Sequence, residues 1–187
     1  QDRTGIPITL FINLLAALLL PGIASAAAVI AAILSAVETH VKRGSRRFTL
    51  TATTWSLINR FIAENTDFPY RRNYNQITTY HSANLSAGTL GMTFENRIYL
   101  TTRPQLARED LITIFHEYVH TFQYKRYNQV VFIAVYVGEW LFELVRQRNP
   151  DEAYENIEFE DQAEDWAQRF GSWLDAQNIR FRPGANA

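Results

Sequence analysis

The stretch "LITIFHEYVHTFQY", residues 111–124, decides how the rest of the chain is read. Leu111, Phe115, Tyr118 and Phe122 recur at i, i+4, i+7 and i+11, joined by Ile112 and Val119. That spacing predicts an amphipathic helix, introduced by Pro104 and running to Tyr127. Inside it lies His-Glu-x-x-His. His116 and His120 stand one turn apart on one helix face, where two imidazoles can reach a single tetrahedral ion. Glu117 is displaced around the helix, so its carboxylate can reach a water on the metal rather than the metal itself. Zinc acidifies such a water toward neutrality, and the glutamate takes its proton as it attacks a carbonyl. With 4 His in 187 residues, a chance match to the pattern is on the order of 0.5%. The competing reading is a pair of helix-surface histidines that bind nothing.

A catalytic zinc needs a third protein ligand and one open position. The chain has no cysteine, so that ligand must be His, Asp or Glu. His40 and His81 lie upstream of the motif, and downstream there are only carboxylates. The acidic run "DEAYENIEFEDQAED", residues 151–165, offers Glu158, Glu160, Asp161 and Glu164, and Glu160 is the expected third ligand. Ala163 and Glu164 continue its helical face, so Glu164, before Asp165, can accept the free N–H of a ligand histidine. A purely solvated acidic helix is the rival reading. Gln123 lies seven residues after His116 on the same face and is either an organiser of the site or an ordinary exposed glutamine. Tyr154, His81 and Tyr80 are candidates to stabilise an oxyanion, on the ground that zinc peptidases need such a donor.

Outward from the motif, the chain reads as predominantly helical with a small sheet ahead of the motif helix. Trp55, Ile58 and Ile62, with Leu57 and Phe61, predict a helix over 51–65, and "NTDFPYRRNYN" (65–75) breaks it. Residues 76–82 and 89–102 are rich in Thr, Tyr, Ile and Phe and read as strands, with "ENR" (95–97) as a turn or a bulge. Further helices are expected from about Val130 to Gln147 and from about Ile157 to Gln177. Basic "KRGSRR" (42–47) reads as a boundary or linker, dividing an apolar segment, 1–44, from a domain spanning 45–187.

Residues 6–37 are the most apolar stretch, halved by Pro21 and Gly22. Each half is short of the roughly 20 apolar residues of a bilayer span. The start, "QDRTGIP", lacks the basic region of a secretory signal, although "ASA" (24–26) looks like a cleavage site. A helical hairpin packed on the domain, a membrane-active hairpin and a retained targeting segment are the three readings. A formal net charge of −1 argues against nucleic acid as a partner. The 47% hydrophobic content indicates a globular chain.

"YHSANLSAGTLGMTFENRIYLTT" followed by "LITIFHEYVHTFQY" resembles the extracellular contractile injection system core domain family, which has a strand of the type a-x-T-x-G-x-x-I-x-f before a helix reading L-x-x-H-E-x-x-H-x-x-Q. Gly91, Ile98 and Tyr99 match the strand loosely; Leu111 or Ile112, His116, Glu117, His120 and Gln123 match the helix. Related peptidase-like sequences carry A-Y-x-N-x-x-x-E-x-x-A, matched here by "AYENIEFEDQA" (153–163), which again selects Glu160; where they often have Asn-Pro, this chain has "NIEFE". The resemblance covers about residues 76–165. It implies a zincin-like, gluzincin-type metallopeptidase fold, with residues 89–101 as the edge of the sheet that pairs with an extended peptide.

The leading expectation is a zinc-dependent endopeptidase acting on a protein or peptide. It is expected to be a bacterial effector or toxin, secreted or delivered into a target cell, with residues 1–44 contacting a membrane or joining a larger parent chain. Opening "DRTG" is similar to the aspartate-proline-x-glycine signature ending Rhs-type toxin cores, with Arg3 in place of proline. The alternatives are a membrane-active domain with a secondary or inactive protease fold, and a non-catalytic scaffold holding zinc.

Overall fold

The computed structural model describes residues 23–69, 77–85, 88–105, 107–127, 129–148, 157–177 and 179. Among them it is an α+β protein, mostly helical, with five helices and a small four-stranded mixed sheet. Helix α1 (Ile23–Lys42) leads into strand β1 (Arg46–Phe48) and helix α2 (Ala52–Glu64). Strands β2 (Thr78–His81), β3 (Gly91–Phe94) and β4 (Arg97–Leu100) follow, then helices α3 (Arg108–Tyr127), α4 (Gln129–Gln147) and α5 (Glu158–Ala176).

Local chemistry sets the ends of these elements. Thr51 Oγ1 accepts the Thr54 N–H at 3.1 Å and starts α2, and the Asn65 side chain donates to the Phe61 carbonyl to close it. Glu95 and Asn96 form a two-residue turn between β3 and β4, with Phe94 opposite Arg97 and Glu95 at φ 54. "ENR" is therefore a hairpin turn and not a bulge. The Asp110 carboxylate accepts the N–H groups of Gln105 and Ala107 just ahead of α3. Acids in the first turn of α3 and Lys125 and Arg126 in its last turn complement the helix dipole.

The sheet order is β1-β2-β4-β3, with β2 and β4 parallel and both outer pairs antiparallel. One face, carrying Ile98 and Leu100, joins Ile58, Phe61, Phe68, Phe115, Phe122, Trp166 and Phe170 in the main core between α2, α3 and α5. Its aromatic rings interlock, with Phe61 edge-on to Phe115 at 5.2 Å and Phe115 stacked on Phe170 at 4.5 Å. The other face, with Phe94 and Tyr99, packs against Leu34 and Val41 of α1. Glu38 of α1 is clasped there by Arg97 and by the Tyr99 hydroxyl at 2.8 Å.

One sequence expectation changes. "KRGSRR" is not a linker: the chain turns at Gly44 (φ 80), and Arg46–Phe48 pairs antiparallel with β2 as an outer strand. Charged residues suit an outer strand, because they blunt its free edge against pairing with other chains. Helix α1 packs as a layer on the sheet. The first arm of the expected hairpin lies outside the described residues. For the second arm, Leu34, Glu38 and Val41 seat α1 on the sheet. Among the described residues no helix is long and apolar enough to cross a membrane.

Candidate metal centre

Helix α3 runs through the middle of the molecule and is buried almost all round. It packs along α5, with the Arg108 guanidinium held at 2.6 and 2.7 Å by Asp175 at the far end of α5. Phe115 and Phe122 of α3 share the core with Ala163, Trp166 and Phe170 of α5, and the first turn of α5 meets the middle of α3, so Glu160 stands against the two histidines. The Nε2 atoms of His116 and His120 lie 3.1 Å apart. Glu160 Oε2 is 3.3 Å from His116 Nε2, and Oε1 is 3.5 Å from His120 Nε2. His116, His120 and Glu160 form a group that could hold a metal ion.

The donor set fits a zinc-sized cation. Ligand atoms around a tetrahedral zinc with bonds of about 2.0–2.1 Å stand about 3.3–3.4 Å apart. The two imidazole Nε2 atoms at 3.1 Å and the His116 Nε2–Glu160 Oε2 pair at 3.3 Å lie close to that value, and the other oxygen of the same carboxylate, Oε1, stands 3.5 Å from His120 Nε2. The imidazole tautomer fits as well. Gln123 Nε2 donates to the Phe159 carbonyl at 3.0 Å, which turns its Oε1 toward His120 Nδ1 at 2.7 Å. An oxygen there needs a proton on Nδ1, so the Nε2 of neutral His120 carries the lone pair that faces the group. Gln123 is fully buried, so it is not an ordinary exposed glutamine. Glu164 Oε2 stands 3.6 Å from His116 Nδ1, on the expected side but beyond hydrogen-bond distance, with its side chain 59% exposed.

Without a cation, a proton takes its place. Burial opposes charge on His120, but the Glu160 carboxylate outweighs it and raises the imidazole pKa to about 9. Burial likewise works against the Glu160 anion, yet His120 and the hydrogen bonds from both rings hold it well below the usual carboxylate range. Cation binding must displace that proton.

Glu117 is 5% exposed and does not belong to the ligand group; its carboxylate lies against β3. Thr93 Oγ1 is 2.8 Å from Glu117 Oε2 and 3.0 Å from the Glu117 carbonyl. A Cβ on Gly91 would stand 2.6 Å from Glu117 Oε1, so only glycine leaves room there for the carboxylate. Gly91 and Thr93 are two apart in the strand and share its helix-facing side. Burial raises the Glu117 pKa above its ordinary value, against the pull of the two histidines and of Thr93.

Of the remaining candidates, His81 is not brought to the group. Its ring lies edge-on to Phe48 of β1 and its Nδ1 meets Ser82 Oγ at 2.9 Å, with β4 between its strand and β3. Tyr80 stacks on Tyr99 at 4.8 Å on the α1 side of the sheet. Tyr154 lies outside the described residues. Sequence reasoning missed Thr93, whose signal was its two-residue spacing from Gly91. It also missed Tyr136, whose hydroxyl donates to Glu160 Oε1 at 2.8 Å and which no local pattern distinguishes. No protein-family model, curated protein or solved structure matches this chain.

Proposed function

We propose that the protein is a zinc-dependent endopeptidase, with His116, His120 and Glu160 as the zinc ligands and Glu117 as general base. The observation that carries this reading is a buried carboxylate, outside the ligand group, fixed between the ligand helix and an outer strand. A site that only held zinc for stability would be closed by four protein ligands and would have no use for Glu117. When bound, zinc supplies Lewis acidity that acidifies a water and polarises a peptide carbonyl. Glu117 would accept a proton from a water held at that site as it adds to the carbonyl, and would return it to the amine nitrogen as the C–N bond breaks. Gly91 and Thr93 hold its carboxylate in place.

Strand β3 supports the peptide substrate. It is an outer strand, and among the described residues nothing pairs with its free edge. Its main-chain groups can bind an extended peptide beside Glu117 by strand addition. The resemblance to a peptidase-like family agrees with this assignment.

The test is zinc content and peptide cleavage in wild type and Glu117→Gln. The expected result is about one zinc in both proteins, with cleavage lost in the variant. Equal cleavage by the two would sink the assignment.

A further inference from the structure

Three consecutive residues at the start of α5 are each held from outside their own helix. The Glu158 N–H donates to Glu139 Oε2 of α4 at 3.1 Å. The Phe159 carbonyl accepts from Gln123 of α3, and Glu160 Oε1 accepts from the Tyr136 hydroxyl of α4 at 2.8 Å. Ile157, the residue that opens α5, has no side chain able to cap it, so Glu139 takes over that role from a neighbouring helix. Tyr136 and Glu139 are three residues apart on α4 and therefore reach α5 from one face. Among the described residues α4 gives no ligand to the group, yet it supplies two of these three bonds.

We propose that α4 is the positioning arm of the metal centre: Tyr136, backed by Glu139, holds Glu160 with Oε1 engaged and Oε2 offered to the cation. This rests on the reading that His116, His120 and Glu160 bind zinc. The two oxygens of Glu160 stand in different surroundings. Oε1 receives the phenolic proton, whereas Oε2 is the oxygen nearer His116, at 3.3 Å. A glutamate has three rotatable side-chain bonds, and ordering it only when the metal arrives costs binding free energy. Here the carboxylate is already tethered, and the backbone beneath it is fixed at residues 158 and 159. Tyr136 touches Glu160 and not the reacting atoms, so it is a positioning residue.

The experiment measures zinc affinity by competition with a chromogenic chelator, and the visible absorption of the cobalt-substituted protein, on the full chain. Tyr136→Phe removes only the hydroxyl. It is expected to weaken zinc about 10- to 100-fold. It should also change the cobalt spectrum, because a released Oε1 alters the ligand field. Glu139→Gln keeps an oxygen acceptor and should bind like wild type, whereas Glu139→Ala should bind more weakly. Thermal melting of the metal-free proteins checks that each variant folds. Wild-type zinc affinity and an unchanged cobalt spectrum in Tyr136→Phe would overturn the proposal. Should Tyr136→Phe not fold, equal affinities for Glu139→Gln and Glu139→Ala overturn it instead. A wild-type protein that binds no zinc would refute the parent assignment, which is a different outcome from an indifferent Tyr136→Phe.

Discussion

Replacing Gly91 by alanine puts a methyl group where Glu117 already lies. The new Cβ would stand 2.6 Å from Oε1, 2.7 Å from Cγ and 2.8 Å from Cδ of Glu117. Non-bonded carbon atoms rest at about 3.5–4.0 Å, so strand and carboxylate must part by roughly 1 Å. The backbone at Gly91 lies outside the left-handed region, so alanine brings no conformational strain of its own. Overpacking of this kind costs about 1–3 kcal/mol, which for a chain of this size lowers Tm by roughly 2–4 °C per kcal/mol. Misplacing a catalytic group by about 1 Å lowers the rate on the order of 10²-fold. None of the three contacted atoms belongs to His116, His120 or Glu160, so zinc binding should persist. The assay compares kcat/KM on a peptide cleaved by wild type, zinc content and Tm. Expected are full zinc, a modest loss of Tm and a drop in kcat/KM of about two orders of magnitude. Wild-type kcat/KM in a folded, zinc-loaded Gly91→Ala protein would refute the role given to the contact between β3 and Glu117.

Other variants probe the same centre from different sides. Thr93→Val leaves the buried Glu117 carboxylate short of a donor; stability should fall by about 1–3 kcal/mol in chemical denaturation, and an unchanged midpoint would contradict this. Gln123→Leu cuts both the bond to His120 Nδ1 and the tie to Phe159, so zinc affinity should fall about 10- to 100-fold by chelator competition. In the metal-free protein His120 has its pKa raised from 6.5 to about 9. The stability from that proton is complete below pH 6.5 and is lost as pH rises through about 9. The Tm of chelator-treated protein should therefore decline across that interval, and zinc should suppress the decline by replacing the proton; parallel curves with and without zinc would count against it.

The parts legible in the sequence are those governed by short-range geometry. Helices α4 and α5 fall within one residue of the expected bounds at each end, because long periodic runs report their own conformation. His116, Glu117 and His120 needed only the helical repeat, and Glu160 stood out in the acidic run. Strand β1 was hidden because three residues, two of them arginine, carry no alternation to read. The motif helix was expected to divide into an apolar and a polar side. Instead it is central, and Thr121, Gln123 and Tyr124 are buried beside Phe122. Gly91 matched a strand pattern, but the reason for glycine is Glu117, a partner distant in the chain. Thr93, Tyr136 and Glu139 act through partners that only tertiary packing supplies.

Zinc-edge anomalous diffraction from crystals of the zinc-loaded protein tests the metal centre most directly. The expected map has one strong peak, within bonding distance of His116 Nε2, His120 Nε2 and Glu160 Oε2, with the Glu117 carboxylate outside the coordination sphere. A peak elsewhere, or Glu117 closing the site as a fourth protein ligand, would contradict the assignment.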